Sequence, residues 1–100
     1  MSELPTFVYL LKPNRATLIR DASRGEEATL GEHFEYLQTA LSEGRLILAG
    51  PCEDREFGIV IFRAGTEEEA LEFVEDDPAV RGGLMTAELH PLRISLVERA

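Results

Sequence analysis

The fold is decided by the stretch Glu32-His-Phe-Glu-Tyr-Leu37, which continues through Leu41-Ser-Glu-Gly44 into Leu46-Ile-Leu-Ala-Gly-Pro51. Its first part carries apolar residues at helical spacing, which predict one buried stripe made of Leu30, Phe34, Leu37 and Leu41. A glycine at position 44 is typical of a helix end, where the backbone becomes left-handed. The apolar run that follows is too short for a helix and predicts a buried strand.

Two segments have the spacing of a capping box and could begin this helix, namely Ser23-Arg-Gly-Glu26 and Thr29-Leu-Gly-Glu32. The sequence does not choose between them. Residues 15–24 are compatible with either a short helix or a turn.

Three further strands and a second helix are indicated. Strands are predicted over residues 6–12 and 57–63, and a last one from about residue 86 to 97. In the last strand the apolar alternation slips at His90-Pro91, which predicts a bulge there. The second helix begins after a cap at Thr66 and is broken at Asp77-Pro78, with one further turn expected from Pro78 to Gly83.

The resulting order, strand-helix-strand-strand-helix-strand, predicts an α+β, ferredoxin-like βαββαβ fold with a four-stranded antiparallel sheet and both helices on one face. We expect a single domain over residues 1–100. The strands are apolar on both sides, and we group Val8, Leu10, Val60 and Phe62 on one face against Tyr9, Leu11, Ile59 and Ile61 on the other. A sheet face that no helix covers predicts a homodimer.

Composition excludes several classes of function. The net charge of −9, from 19 acidic and 10 basic residues, argues against a nucleic-acid partner. The single cysteine, Cys52, cannot form an internal disulfide, and no secretory signal or membrane-spanning run is recognisable, so we expect a cytoplasmic protein with no membrane partner. No zinc pattern and no nucleotide-binding motif occurs, so we predict neither a metal nor a cofactor.

A candidate site centres on His33, which falls beside the apolar stripe, with Tyr36 slightly further round the same edge. The alternative for His33 is a helix histidine that packs its ring and bonds a neighbour. Asp77 precedes a proline, so it is also a good N-cap for the turn at Pro78. Arg81 lies four residues further on and could pair with Asp77.

Three motifs in order resemble the YciI-like (YCII-related) family: His33-x-x-Tyr36-Leu37, then Gly44-x-Leu46 leading to Ala49-Gly50-Pro51, then Asp77-Pro78-x-Val80-x-x-Gly83. The resemblance spans nearly the whole chain. It implies a ferredoxin-like domain that dimerises sheet to sheet into a dimeric α/β barrel. It also implies a histidine–aspartate dyad in a cleft, at His33 and Asp77. Where the family often carries a bulky aromatic residue, this chain has Ala79, which predicts a more open pocket.

If the dyad forms, Asp77 would fix the tautomer of His33, whose other nitrogen could act as a general acid or base. By fold-level analogy this suggests a cofactor-independent lyase, isomerase or dehalogenase acting on a small molecule, with Tyr36 or Arg81 positioning an anionic or phenolic group. The alternatives are a non-catalytic module that holds a small molecule in the same cleft, and a structural dimer without a ligand.

Overall fold

The computed structural model describes residues 4–98 and has the predicted α+β architecture. Its elements, in chain order, are β1 (Thr6–Pro13), α1 (Leu18–Asp21), α2 (Arg24–Ser42), β2 (Leu46–Pro51), β3 (Gly58–Arg63), α3 (Glu67–Glu75), α4 (Pro78–Arg81) and β4 (Met85–Leu92). The four strands form one antiparallel sheet in the order β2-β3-β1-β4. The ferredoxin-like βαββαβ prediction is therefore confirmed, with α1 and α4 as short additions.

Helix α2 begins at the earlier of the two capping boxes. The Ser23 hydroxyl accepts from the backbone N–H of Glu26, and the Glu26 carboxylate accepts from the backbone N–H of Ser23. Arg15 fixes the same carboxylate with two hydrogen bonds of 2.9 and 2.8 Å. The Thr29 hydroxyl instead donates to the carbonyl of Gly25 inside the helix. The helix is therefore longer by almost two turns than the later box would make it.

The predicted buried stripe of α2 is wrong in part. Leu37 is buried together with Ala40, but Phe34 and Leu41 are 62% and 56% exposed. The helix is rotated so that the side carrying His33, Leu37 and Ala40 faces the other elements. Gly44 ends the helix in the left-handed region, with φ of 81°.

The predicted grouping of strand residues by face is also wrong. Tyr9 lies directly opposite Val60, and Val8 lies opposite Ile61, so each pair shares a face. The face covered by the helices carries the buried residues Phe7, Tyr9, Leu11, Val60 and Phe62. The opposite face, defined here as the open face, carries Val8, Leu10, Ile59 and Ile61, which are half-buried.

Strand β4 ends earlier than predicted and contains no bulge. Its pairing with β1 runs without interruption from Thr6–Leu92 to Pro13–Met85, through His90 and Pro91. Because β4 lies at the edge of the sheet, a proline there costs no hydrogen bond when its nitrogen points outward. The sheet's irregularity lies between Leu46 and Leu48 of β2.

Helices α3 and α4 meet at the predicted break. Thr66 caps α3 by accepting from Glu69 N–H, and the apolar side of α3 is buried. Asp77 then caps α4, whose first residue is Pro78. No helix of residues 4–98 is both long enough and apolar enough to cross a membrane.

Candidate active site

The centre of the candidate site is the side chain of Asp77, which is fully buried at the N-terminus of α4. Its Oδ1 atom accepts from the backbone N–H of Ala79 at 2.9 Å and lies 2.7 Å from Nδ1 of His33. Its Oδ2 atom accepts from the Tyr9 hydroxyl at 2.8 Å. Strand β1, helix α2 and the α3–α4 junction thus each contribute one residue to a buried cluster.

These contacts bear on where the protons of the cluster lie. The Tyr9 hydroxyl and the Ala79 N–H both donate to the Asp77 carboxyl group, and an ionised carboxylate can accept every hydrogen bond that reaches it. With an ionised Asp77, a neutral His33 carries its proton on Nδ1, and its Nε2 atom holds a free electron pair. The charge of Asp77 is also the natural partner for an imidazolium, which would form if Nε2 took up a proton.

The two tyrosines near Asp77 are held in their neutral form. Burial raises the pKa of the Tyr9 hydroxyl far above its ordinary range, and the adjacent Asp77 charge and hydrogen bond raise it further. Burial likewise raises the pKa of Tyr36, with smaller effects from Asp76 and Asp77. Tyr9 therefore stays a hydrogen-bond donor to Asp77 across the whole neutral range.

His33 also lines a cavity of about 600 Å³ between α2 and the β2–β3 half of the sheet. Its side chain is 15% exposed, whereas that of Asp77 is fully buried behind it. Phe34 and Leu41, the exposed residues of the α2 stripe, belong to the same lining, and so does Leu48 of β2. The apolar stripe of α2, which the sequence predicts to be buried in the core, thus forms one wall of the cavity. A largely apolar concavity with a few polar groups is the usual form of a small-molecule site.

Comparison with known proteins assigns the chain to a family. Residues 6–90 match the model of the YCII-related domain. The chain belongs to this family. The resemblance inferred from the three motifs is therefore confirmed, and the YCII-related match covers every strand of the sheet except the last two residues of β4.

Two relatives can be named for this YCII-related chain. The uncharacterised protein YjpA of Bacillus subtilis (strain 168) is 37% identical over 51 residues, which are 51% of this chain and 60% of that protein. The match thus spans less than two thirds of YjpA. The structure of 5-chloro-2-hydroxyhydroquinone dehydrochlorinase (TftG) from Burkholderia phenoliruptrix AC1100, in complex with 2,5-dihydroxybenzoquinone, superposes with a TM-score of 0.68. It is 19% identical, over 88% of this chain and 93% of that chain, so the likeness shows the fold alone.

The other predicted site residues of this YCII-related domain lie away from the cavity. The Tyr36 hydroxyl donates to the backbone carbonyl of Phe73 at 2.6 Å, and Arg81 pairs with Asp76 at 3.2 Å instead of with Asp77. Neither residue lines the cavity. A role for Tyr36 or Arg81 in binding a ligand stays a prediction, and their position outside the lining does not support it. Ala79 is fully buried and also lies outside the lining, so it does not open this cavity.

Sequence reasoning missed Tyr9, because an aromatic residue in a strand is an ordinary core residue. The feature that could have revealed Tyr9 is its hydroxyl group, because a tyrosine on the inward face of β1 needs a buried hydrogen-bond partner. Cys52 is half-buried in the β2–β3 connection. No three histidine, cysteine, aspartate or glutamate side chains within residues 4–98 lie close enough to hold a metal ion. His90 contacts Glu88 at the exposed edge strand, far in sequence from His33.

Proposed function

We propose that this protein is a small acid/base enzyme in which His33 transfers a proton to or from a ring-shaped molecule bound in the cavity. The observation that carries the proposal is the 2.7 Å contact between His33 Nδ1 and the buried Asp77 Oδ1, combined with the place of His33 in the cavity wall. A histidine oriented by a buried carboxylate and open to a cavity is a typical general base. No cofactor is needed for this chemistry.

The hydrogen bonds of the cluster support this proton transfer. Nε2 of His33 accepts a proton from the substrate, and the resulting imidazolium is stabilised by Asp77, which itself keeps its charge. Tyr9 and the Ala79 N–H hold the carboxylate in place during the transfer. Preorganised hydrogen bonds of this kind cost no rearrangement at the moment of reaction.

Within acid/base chemistry, elimination of hydrogen halide is the reaction that we favour over isomerisation. TftG, which shares the fold, is a dehydrochlorinase of 5-chloro-2-hydroxyhydroquinone. In such a step His33 takes the proton of a ring hydroxyl, and the electron pair of that O–H bond forms a carbonyl. The displaced ring electrons expel halide from a carbon that tautomerisation has made tetrahedral. The products are a quinone and hydrogen halide, with no change that requires an oxidant.

We also propose that the protein acts as a homodimer that pairs its open faces. Val8, Leu10, Ile59 and Ile61 form an apolar surface that no helix of the chain covers. A surface of this kind on the sheet is favourably buried against a second copy. Sedimentation of the wild type and of a Val8→Lys variant would test this, with a monomeric wild type as the contradicting result.

The experiment for the enzyme proposal is release of chloride from chlorinated hydroxyhydroquinones, beginning with 5-chloro-2-hydroxyhydroquinone. We expect turnover in the wild type and a loss of about 10²–10⁴-fold in His33→Ala. Free imidazole should restore part of the activity of His33→Ala, because it can replace the missing base. His90→Gln is the matched control, since it removes the other histidine beside a carboxylate but lies outside the cavity.

Two other outcomes would decide against this proposal. Binding of the quinols with no turnover in any variant would favour a non-catalytic binding module. Equal activity of His33→Ala and the wild type would remove His33 from the reaction.

A further inference from the structure

The lining of the cavity has an unusual distribution of charge. The chain carries 19 acidic residues, yet no aspartate or glutamate belongs to the described lining. Its only polar side chains are those of His33, Gln38 and Arg55. An apolar cavity with one permanent positive charge and no negative one favours ligands that are apolar and negatively charged over cationic ones.

Arg55 is placed by the short connection between β2 and β3. Its backbone N–H donates to the Cys52 carbonyl at 2.9 Å, and the Cys52 N–H donates to the Phe57 carbonyl at 2.8 Å. These bonds fix the loop at the β-strand wall of the cavity, while His33 belongs to the helical wall. Within residues 4–98 the Arg55 guanidinium has no hydrogen bond or ion pair, in contrast to Arg15 or Arg81. Its donors are therefore available to a ligand.

The backbone conformation of Arg55 is a second indication that this residue has a function. Arg55 has φ of 67° and is the one non-glycine residue with positive φ in the described chain. Gly44 and Gly83 adopt the same region without a side chain to strain. Non-glycine residues in this region carry strain that is commonly retained for function. The chain thus keeps a charged side chain where a glycine would be relaxed.

We propose that Arg55 is a specificity-determining residue that binds an anionic group of the substrate, a carboxylate or an ionised phenolic hydroxyl, at the cavity. This proposal deepens the proposed function, because it assigns the substrate of that site to the aromatic acids and acidic phenols. The apolar walls enclose the ring, Arg55 holds its charged group, and His33 reaches a second position on the ring. A planar guanidinium suits such oxygen pairs better than an ammonium group.

The test needs no turnover and uses two fluorescent probes that differ in one charge. These are 8-anilinonaphthalene-1-sulfonate and its uncharged counterpart N-phenyl-1-naphthylamine. We expect Arg55→Gln to weaken binding of the sulfonate about threefold to fivefold, as for a solvent-accessible ion pair, and to leave the uncharged probe unchanged. Arg55→Lys should keep most of the preference. Added salt should reduce the preference of the wild type, since it screens this charge.

The controls locate the effect. Arg24→Gln removes the same charge from an exposed position outside the lining and should change neither affinity. Ala49→Phe fills part of the cavity and should weaken both probes. The proposal is overturned if Arg55→Gln affects both probes equally, if Arg24→Gln has the same effect, if Ala49→Phe affects neither, or if the wild type binds neither probe.

The two proposals fail separately. A cavity without anion preference would leave the chemistry of His33 untouched. An anion preference that depends on Arg55, together with no halide release from any quinol, would leave the binding site and remove the halide elimination.

Discussion

The replacement of Tyr9 by phenylalanine tests the buried cluster most directly. It removes one oxygen atom from a ring that is fully buried, and the ring itself can keep its edge-to-face packing on Phe62 and Phe73, at centroid distances of 5.6 and 6.2 Å. The Oδ2 atom of Asp77 then loses the donor that lies 2.8 Å away. The change is therefore confined to one hydrogen bond to a buried charge.

A hydrogen bond to a charged group contributes about 1.5–3 kcal/mol, and leaving the buried partner unpaired adds to the loss. We therefore expect Tyr9→Phe to lower the free energy of unfolding by about 2 kcal/mol at pH 7. For a chain of 100 residues this corresponds to a fall of roughly 8–16 °C in Tm. Thermal and urea denaturation followed by circular dichroism measure both quantities.

The same variant should change the response to alkali. The pKa of Tyr9 is raised above its ordinary value of 10.0, chiefly by burial and then by Asp77. Above pH 10 the unfolded chain loses this proton while the folded chain keeps it, so stability is full below pH 10 and falls as pH rises. The slope due to one such group reaches about 1.4 kcal/mol per pH unit, and Tyr9→Phe should lack it. Tyr36→Phe should also lose part of the slope, because the pKa of Tyr36 is raised too, but its hydroxyl donates to a backbone carbonyl and not to Asp77.

The reasoning is refuted if Tyr9→Phe costs less than about 0.5 kcal/mol and keeps the wild-type slope above pH 10. Asp77 would then not be held as an ionised acceptor by this hydroxyl. The tautomer assigned to His33 would lose its support as well.

Three further predictions concern other parts of the fold. Hydrogen bonds from Arg15 lower the pKa of Glu26 from 4.5 to about 2. The contribution of Glu26 to stability is therefore present above pH 4.5 and lost as pH falls towards 2. In urea unfolding, Glu26→Gln should lose less stability on acidification than the wild type. Gly31→Ala should stabilise the protein by about 0.5–1 kcal/mol, since a Cβ there meets nothing within 4 Å. Gly82→Ala should destabilise it by about 1–3 kcal/mol, because the new Cβ would lie 2.9 Å from a backbone oxygen. The opposite order of Tm values would contradict this. Leu37→Ala should cost about 2–5 kcal/mol and Phe34→Ala less than about 1 kcal/mol, because only the first side chain is buried; equal losses on urea unfolding would place Phe34 in the core.

The order and type of the main elements could be predicted from the sequence, because periodicity, caps and breakers act locally. The orientation of α2 about its own axis could not be predicted. An apolar stripe that lines a cavity has the same spacing as one that is packed in a core, so Phe34 and Leu37 are equivalent in the sequence and differ in the structure. Contacts that orient the helix come from β2, which follows it directly, and from α4, which is distant along the chain.

The faces of the sheet were assigned wrongly for a related reason. When both faces are apolar, alternation does not reveal which residues of two strands share a face. The register does, and it places Tyr9 opposite Val60. Without that pairing, the inward position of the Tyr9 hydroxyl, and with it the third residue of the site, could not be predicted.

For Asp77 the sequence left two roles open, a helix cap and a partner of His33, and the structure gives it both contacts. The two roles are compatible because a carboxylate has two oxygen atoms that can each accept more than one hydrogen bond. Oδ1 serves both the Ala79 N–H and His33, which lies 44 residues away in the chain. Only the fold brings these groups together, so spacing alone could not decide.

This shared use of Asp77 also determines what its substitution can reveal. In Asp77→Asn, an amide nitrogen at the position of Oδ1 would face the Ala79 N–H, donor against donor, which is unfavourable. At the position of Oδ2 it would meet the Tyr9 hydroxyl, which can turn from donor to acceptor. The side chain therefore places its oxygen towards Ala79 and His33, and the geometry of the site is retained while the charge is lost. With Tyr9 present, Asp77→Asn measures the contribution of the charge to the acid/base function of His33, separately from its orientation.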